Sequence, residues 1–133
     1  MNFISLSALI FFGLKAQAAF DFKVGGKAIE KAEYLKLMRE QYIKDWCANP
    51  KMPHRLCFEF TEAECTKTYG EAFDVCGKSK TEKYPALMRF NTMNELAPVS
   101  KSISGCMHEK VQKENAGRIS KVKCPDFPAY KVN

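Results

Sequence analysis

The sequence predicts an all-α fold: a small three- or four-helix bundle stapled by disulfides, with extended N- and C-terminal segments. Apolar residues recur at steps of three and four along much of the chain, the spacing of one face of a helix. The chain of 133 residues contains six cysteines, an even number that is typical of a disulfide framework in a short exported protein. An apolar N-terminal stretch indicates export independently.

The first 18 residues have the pattern of a cleavable signal peptide. Residues 8–14 form an apolar run that is shorter than the roughly 20 residues needed to span a membrane. Ala16 and Ala18 follow it with the spacing that signal peptidase cleaves, although Lys15 is atypical beside them. We therefore expect export to the periplasm or the extracellular space, no stable membrane anchor after cleavage, and a single helical domain over residues 19–133.

Two short segments of the mature chain have an extended pattern. Phe20–Val24 alternates apolar and polar residues before Gly25 and Gly26, which predicts a short strand. Ile119–Cys124 is the second extended segment, and the two could pair.

The first helix is predicted from Lys27 to Cys47, and Pro50 follows it as a helix breaker. Its apolar residues form one stripe: Ile29, Ala32, Leu35, Met38, Tyr42 and Trp46.

The second helix is predicted to begin with a capping box formed by Thr61 and Glu64. Gly77 is expected to end it as a C-cap. One face of this helix is predicted to point inward: Cys65, Tyr69, Ala72 and Cys76.

Two further helices are predicted on either side of Pro98. The first covers Pro85–Leu96, and Pro98 is expected to end it. The second covers Ser100–Ala116, with Gly117 as its cap. Its predicted inner face comprises Ile103, Cys106, Met107 and Val111.

The helix order suggests one disulfide and leaves the others open. If the second and last helices are antiparallel, Cys76 lies close to Cys106, so this is the favoured pair. The other four cysteines are expected to cluster where the first two helices meet the returning tail, and their pairing stays open: Cys47, Cys57, Cys65 and Cys124.

No motif predicts a catalytic, metal or cofactor site. The two histidines are His54 and His108, and His108 is expected to be an exposed polar position on the last helix. The chain contains no Cys-x-x-Cys, so zinc fingers and thioredoxin-type redox pairs are unsupported. The net charge of +6, or +5 once Lys15 is removed, is spread without blocks of like charge, which argues against nucleic acid as a partner.

With no catalytic, metal or cofactor motif in the sequence, we favour a non-enzymatic binding protein of inhibitor, immunity or adaptor type, with a protein partner. The loop from Ala48 to Phe60 is held between cysteines, and loops on rigid scaffolds carry binding. Its distinctive residues are the predicted contact residues: Pro50, Pro53, His54, Arg55 and Phe58.

Two other functions remain open. Six methionines and an aromatic-rich region near Trp46 could line a cavity for a small apolar ligand, although such residues are first of all core residues. A small secreted enzyme is the third hypothesis, and it requires a cleft in which His54 or His108 meets a carboxylate. The partner and the oligomeric state are not predicted.

Overall fold

The structure is a computed structural model that describes residues 28–90 and 93–126, with the backbone alone for residues 93 and 94. Within these ranges the chain forms four helices, a short two-stranded sheet and a final 3₁₀ turn. The elements, in order, are β1 (Ala28–Glu30), α1 (Lys31–Cys47), α2 (Pro53–Leu56), α3 (Glu62–Thr81), β2 (Leu87–Arg89), α4 (Met93–Glu114) and the 3₁₀ turn Ala116–Arg118. The predicted helical, disulfide-stapled fold is confirmed. The signal peptide and the strand predicted at residues 20–24 lie outside the described residues.

Helix α3 is the centre of the bundle, because it packs against both α1 and α4. Its buried face contains the four residues predicted from the sequence and also Phe73: Cys65, Tyr69, Ala72, Phe73 and Cys76. Helix α4 presents a continuous buried stripe to it: Leu96, Val99, Ile103, Met107 and Val111. The spacing of three and four residues therefore identified the inward faces of both helices.

Three disulfides join the elements in pairs. Cys76 bonds to Cys106 and ties α3 to α4, as the antiparallel arrangement predicted. Cys47 at the end of α1 bonds to Cys65 in the first turn of α3. Cys57, just after α2, bonds to Cys124 and attaches the C-terminal segment. The last two bonds place four cysteines at one end of the bundle.

The helix predicted at residues 85–96 is wrong in its first part, whereas residues 93–96 are helical as the first turn of α4. Leu87–Arg89 is instead strand β2, which pairs antiparallel with β1 so that Met88 lies opposite Ile29. Both of these side chains are buried, whereas Leu87 and Arg89 are exposed. This alternation is that of a strand with one face on the core, and it covers too few residues to stand out in the sequence.

Pro98 does not end a helix, because α4 passes through it. It is the sixth residue of α4, and the first four N–H groups of a helix have no partner within the helix in any case. The missing N–H of Pro98 therefore removes one hydrogen bond, the bond to the Asn94 carbonyl. Leu96 and Val99, on either side of the proline, are buried, and this burial offsets the lost hydrogen bond.

Other boundaries differ for local reasons. Helix α1 starts at Lys31, since Ala28–Glu30 enters the sheet. Helix α3 continues past Gly77 to Thr81. Gly77 serves as a close-packing site, since a Cβ there would lie 3.0 Å from Phe73 and 3.3 Å from Leu35.

The segment Ile119–Cys124 is not extended as predicted. The Cys124 N–H donates to the Ser120 carbonyl at 2.9 Å, which closes a turn. The Cys57–Cys124 disulfide holds this turn against the bundle.

Candidate functional site

The loop between α1 and α3 is fixed at both ends by disulfides. Cys47 anchors its start to α3, and Cys57 anchors its later part to the C-terminal segment. Between these cysteines the chain forms an exposed turn over residues 48–51 and then helix α2. Pro53 is the first residue of α2, where its restricted φ suits the helix and its missing N–H costs nothing.

The structure places the predicted contact residues of this loop in different environments. Pro50 is exposed and Pro53 is half-buried. His54 is 6% exposed and Phe58 is 1% exposed, so both face the interior. Of these four residues, Pro50 is thus the most accessible to a partner, and residues 48–51 form the open part of the loop.

Arg55 is half-buried and holds the loop together. Its guanidinium donates to the carbonyl of Cys47 at 3.2 Å and to that of Phe60 at 3.3 Å. Hydrogen bonds from a charged donor to otherwise unpaired loop carbonyls stabilise an irregular backbone. Arg55 therefore positions the loop rather than projecting from it.

The C-terminal segment packs beside the same loop. The Ser120 N–H donates to the Cys57 carbonyl at 2.7 Å, and Lys123 forms an ion pair with Glu59 at 3.0 Å. Glu59 has a φ of 54°, a left-handed conformation that is uncommon for a residue with a side chain. Val122, at the tip of the segment, is 94% exposed. We call residues 48–60 and 118–124 together the doubly bridged end.

A histidine–aromatic cluster lies under this loop and consists of Trp46, His54, Tyr69 and His108. The His54 ring stacks on Trp46 with 4.3 Å between centroids and 4° between planes. His108 lies 4.9 Å from His54 and 4.8 Å from Trp46, and Tyr69 meets His54 edge-on at 5.3 Å. The cluster brings together α1, α2, α3 and α4.

Burial favours the neutral form of both histidines. Burial, and then the neighbouring His108 ring, lowers the pKa of His54 to about 3. Burial also lowers the pKa of His108. The shift at His54 corresponds to roughly 5 kcal/mol against the charged form, since one pKa unit is about 1.4 kcal/mol. Stacking of an imidazolium on Trp46 would return only about 0.5–2 kcal/mol as a cation–π interaction, so the neutral form still prevails.

His108 is not the exposed position that the sequence predicted, because its half-buried ring packs on Trp46. The spacing of polar and aromatic residues on α4 and α1 contains a signal for this contact. Ser100, Ser104 and His108 recur every four residues on α4, and Tyr42 and Trp46 do so on α1. The Tyr42 hydroxyl donates to the Ser100 carbonyl at 3.1 Å, so the two rows face each other.

The residues that the structure describes hold no group of three or more His, Cys, Asp or Glu side chains arranged to bind a metal. None of the helices in the same ranges is long and apolar enough to cross a membrane. The chain has no significant match to a protein-family model, a curated protein or a solved structure. Fold and site together define a small helical domain with three disulfides.

Proposed function

We propose that the protein is an exported, non-enzymatic binding protein that covers part of a partner protein, as inhibitors, immunity proteins and adaptors do. Its contact surface is the doubly bridged end. The observation that carries this proposal is the exposed turn at residues 48–51, which two disulfides hold on the bundle from either side. Three disulfides are compatible with the oxidising periplasm or extracellular space, to which the predicted signal peptide would send the chain.

A rigid loop favours binding because less conformational freedom is lost when the partner docks. Arg55 and the two disulfides restrict the loop before any partner arrives. An exposed apolar residue, Val122, lies beside it on the second half of the surface.

The chemistry of this end favours an acidic protein surface as the partner. Lys51 is exposed on the turn, and Arg118 and Lys121 are exposed on the C-terminal segment, whereas the charge of Lys123 is offset by its ion pair with Glu59. The mature chain would be basic as well, because the net charge of +6 becomes +5 once Lys15 is removed. Complementary charge accelerates association and excludes basic partners.

A carrier of a small apolar ligand has less support. Side chains that line a ligand-sized cavity would expose surface towards it, yet Met38, Met88 and Met107 are at most 1% exposed. A groove of about 470 Å³ does exist, but Glu30 and Lys31 help to line it and it lies at the surface beside the sheet.

A secreted enzyme also has less support than a binding protein. His54 is 6% exposed, which leaves a substrate little access to its ring. His108 is the more open of the two histidines, and its ring packs against those of Trp46, His54 and Tyr69.

The test is affinity capture with matched variants. The full chain, with a C-terminal tag, is expressed and exported in its own host, and co-purifying proteins are identified. Lys51→Glu combined with Val122→Asp changes the proposed surface. Lys80→Glu combined with Val75→Asp makes the same changes at exposed sites of α3.

We expect one protein to be captured by the wild type and by the α3 variant, and at least about tenfold less of it by the contact-surface variant. Equal capture by both variants would place the contact elsewhere. Capture of no protein by any of them would overturn the proposed function.

A further inference from the structure

Two glycines in the interior of α3 lie on the side of that helix that faces α1. Gly70 and Gly77 are both buried, and they are about two helical turns apart. A Cβ at Gly70 would lie 2.6 Å from Nη2 of Arg39, and a Cβ at Gly77 would lie 3.3 Å from Leu35. Glycine is less favourable than alanine inside a helix, and the close approach of these α1 side chains accounts for it at both positions.

The Arg39 side chain crosses α3 at Gly70 and reaches Asp74. Its Nε donates to Oδ1 of Asp74 at 2.8 Å, and its Nη2 donates to Oδ2 at 3.4 Å. A side chain at position 70 would push the guanidinium away from this carboxylate. The charge of Asp74 is therefore offset by Arg39.

A groove of about 220 Å³ lies beside this ion pair, between α1 and α3. Its apolar wall consists of Leu35, Phe73 and the bare backbone of Gly77. Lys36 from α1 and Lys78 from α3 also line it, and both lysines are exposed. The groove thus combines an apolar wall with one ammonium group from each helix.

The two lysines carry charge that the groove itself does not offset. Within residues 28–90 and 93–126, neither ammonium takes part in an ion pair. Asp74 lines the groove, but Arg39 binds its carboxylate. The other acidic residues one turn away along either helix are exposed and do not line the groove: Glu33, Glu40 and Glu82. With three cationic side chains and one anionic side chain, the lining has a net charge of +2.

We propose that this groove binds a small carboxylate with an aliphatic body. The body lies on Leu35 and on the exposed edge of Phe73, and the carboxylate lies between the ammonium groups of Lys36 and Lys78. The groove is smaller than the roughly 300–1,000 Å³ that is typical of sites for drug-sized ligands, so its ligand is smaller as well.

This site is separate from the doubly bridged end. Gly77 lies about 18 Å along α3 from Cys65, which marks that end of the helix. It is also a groove at the surface rather than a cavity in the core. The inference therefore goes beyond the proposed function and does not depend on it.

The ligand needs both its charge and its apolar body. A neutral ligand with the same body leaves the two ammonium groups without a counter-ion, and a small ion leaves the apolar wall in contact with water. Exposed charges are screened by solvent and salt, so the affinity is modest.

The test is a titration of the oxidised mature chain, labelled with ¹⁵N, with octanoate as the probe. Amide chemical shifts measured by nuclear magnetic resonance are the readout. We expect saturable shifts at residues 35–39 and 73–78, with a Kd of about 1 mM.

Two pairs of substitutions separate the groove from general charge. Lys36→Gln combined with Lys78→Gln should raise the Kd by about tenfold, because both ammonium groups are lost. Lys44→Gln combined with Lys80→Gln removes the same charge from exposed sites of α1 and α3 that do not line the groove. This control should leave the Kd within about twofold of the wild-type value.

Two further ligands separate charge from apolar contact. 1-Octanol has the aliphatic body without the charge, and acetate has the charge without the body. Each should bind about tenfold more weakly than octanoate. Equal effects of the two double variants would overturn the proposal, as would equal affinity for octanol and octanoate, or shifts that do not saturate by about 10 mM octanoate.

Discussion

The imidazole of His54 lies parallel to the indole of Trp46, with 4.3 Å between the ring centroids. Through this contact His54, which lies in the middle of the loop between Cys47 and Cys57, is buried against the bundle. The exposed turn at residues 48–51 and helix α2, whose His54 is buried, therefore belong to one short segment: its outer part is available to a partner and its inner part packs on the bundle.

The stability of the protein should fall with acidification below pH 6.5. The pKa of His54 is lowered to about 3 in the folded state, so the unfolded chain binds the proton first and stability is lost as the pH falls through this window. We expect His54 to account for a loss of about 2–3 kcal/mol between pH 6.5 and pH 4.5. Urea unfolding at several pH values measures it, and His54→Gln should show a shallower slope; equal slopes would contradict the assignment.

Removal of the Cys57–Cys124 disulfide should destabilise the protein more than removal of Cys47–Cys65. The first bond closes a separation of 67 residues and the second a separation of 18. Loop entropy then predicts losses of about 4 and about 3 kcal/mol for the two double Cys→Ser variants. Guanidinium unfolding gives both values, and the reverse order would show that strain or residual structure outweighs loop entropy.

Thr61→Ala should lower the free energy of unfolding by about 1 kcal/mol. The Thr61 hydroxyl accepts from the Glu64 N–H at 3.1 Å, and the Glu64 carboxylate accepts from the Thr61 N–H at 2.8 Å. Thr61→Ser keeps the hydroxyl and serves as the control, with a change close to zero. Thermal unfolding distinguishes the two variants, and equal losses would mean that the cap contributes little.

Gly105→Ala should stabilise the protein by about 0.5–1 kcal/mol, because alanine is the better helix former and a Cβ at this site meets nothing within 4 Å. Gly77→Ala gains the same helix propensity but brings a Cβ within 3.0 Å of Phe73. We expect Gly77→Ala to be the less stable of the two in denaturant unfolding. If both variants gain equally, the close packing at Gly77 adapts without cost.

The exported protein should lack residues 1–18 and contain no free thiol. Intact mass spectrometry before and after reduction checks both points. Cleavage after Ala18 gives the first mass, and reduction should add six hydrogens for the three disulfides. A full-length mass would contradict the predicted signal peptide, and a smaller gain would mean that a disulfide is missing in the cell.

Local patterns in the sequence predicted the main helices well. The inward faces of α3 and α4 follow from apolar spacing, and the capping box at Thr61 needs only its own four residues. The Cys76–Cys106 pair followed from placing two such faces against each other. Each of these inferences depends on contacts within a helix or between two strongly patterned helices.

The features that the sequence did not predict depend on contacts between residues that are far apart in the chain. Strand β2 exists because Met88 meets Ile29 across the sheet, and three residues carry too little pattern to distinguish a strand from a helix. The histidine cluster joins His54 and His108, which are far apart in the chain and uninformative alone. The matching rows at Ser100, Ser104 and His108 and at Tyr42 and Trp46 suggest this contact only once the two helices are known to face each other.

The most direct test of the proposed contact surface is site-specific photocrosslinking in the native host. A photoreactive amino acid replaces Lys51 on the exposed turn or, as the control, Lys80, which lies about 22 Å along α3 from Cys65. We expect the probe at position 51 to give an adduct with one protein and the probe at position 80 to give none. An adduct from position 80 alone, or no protein adduct from position 51, would contradict the assignment of the doubly bridged end as the binding surface.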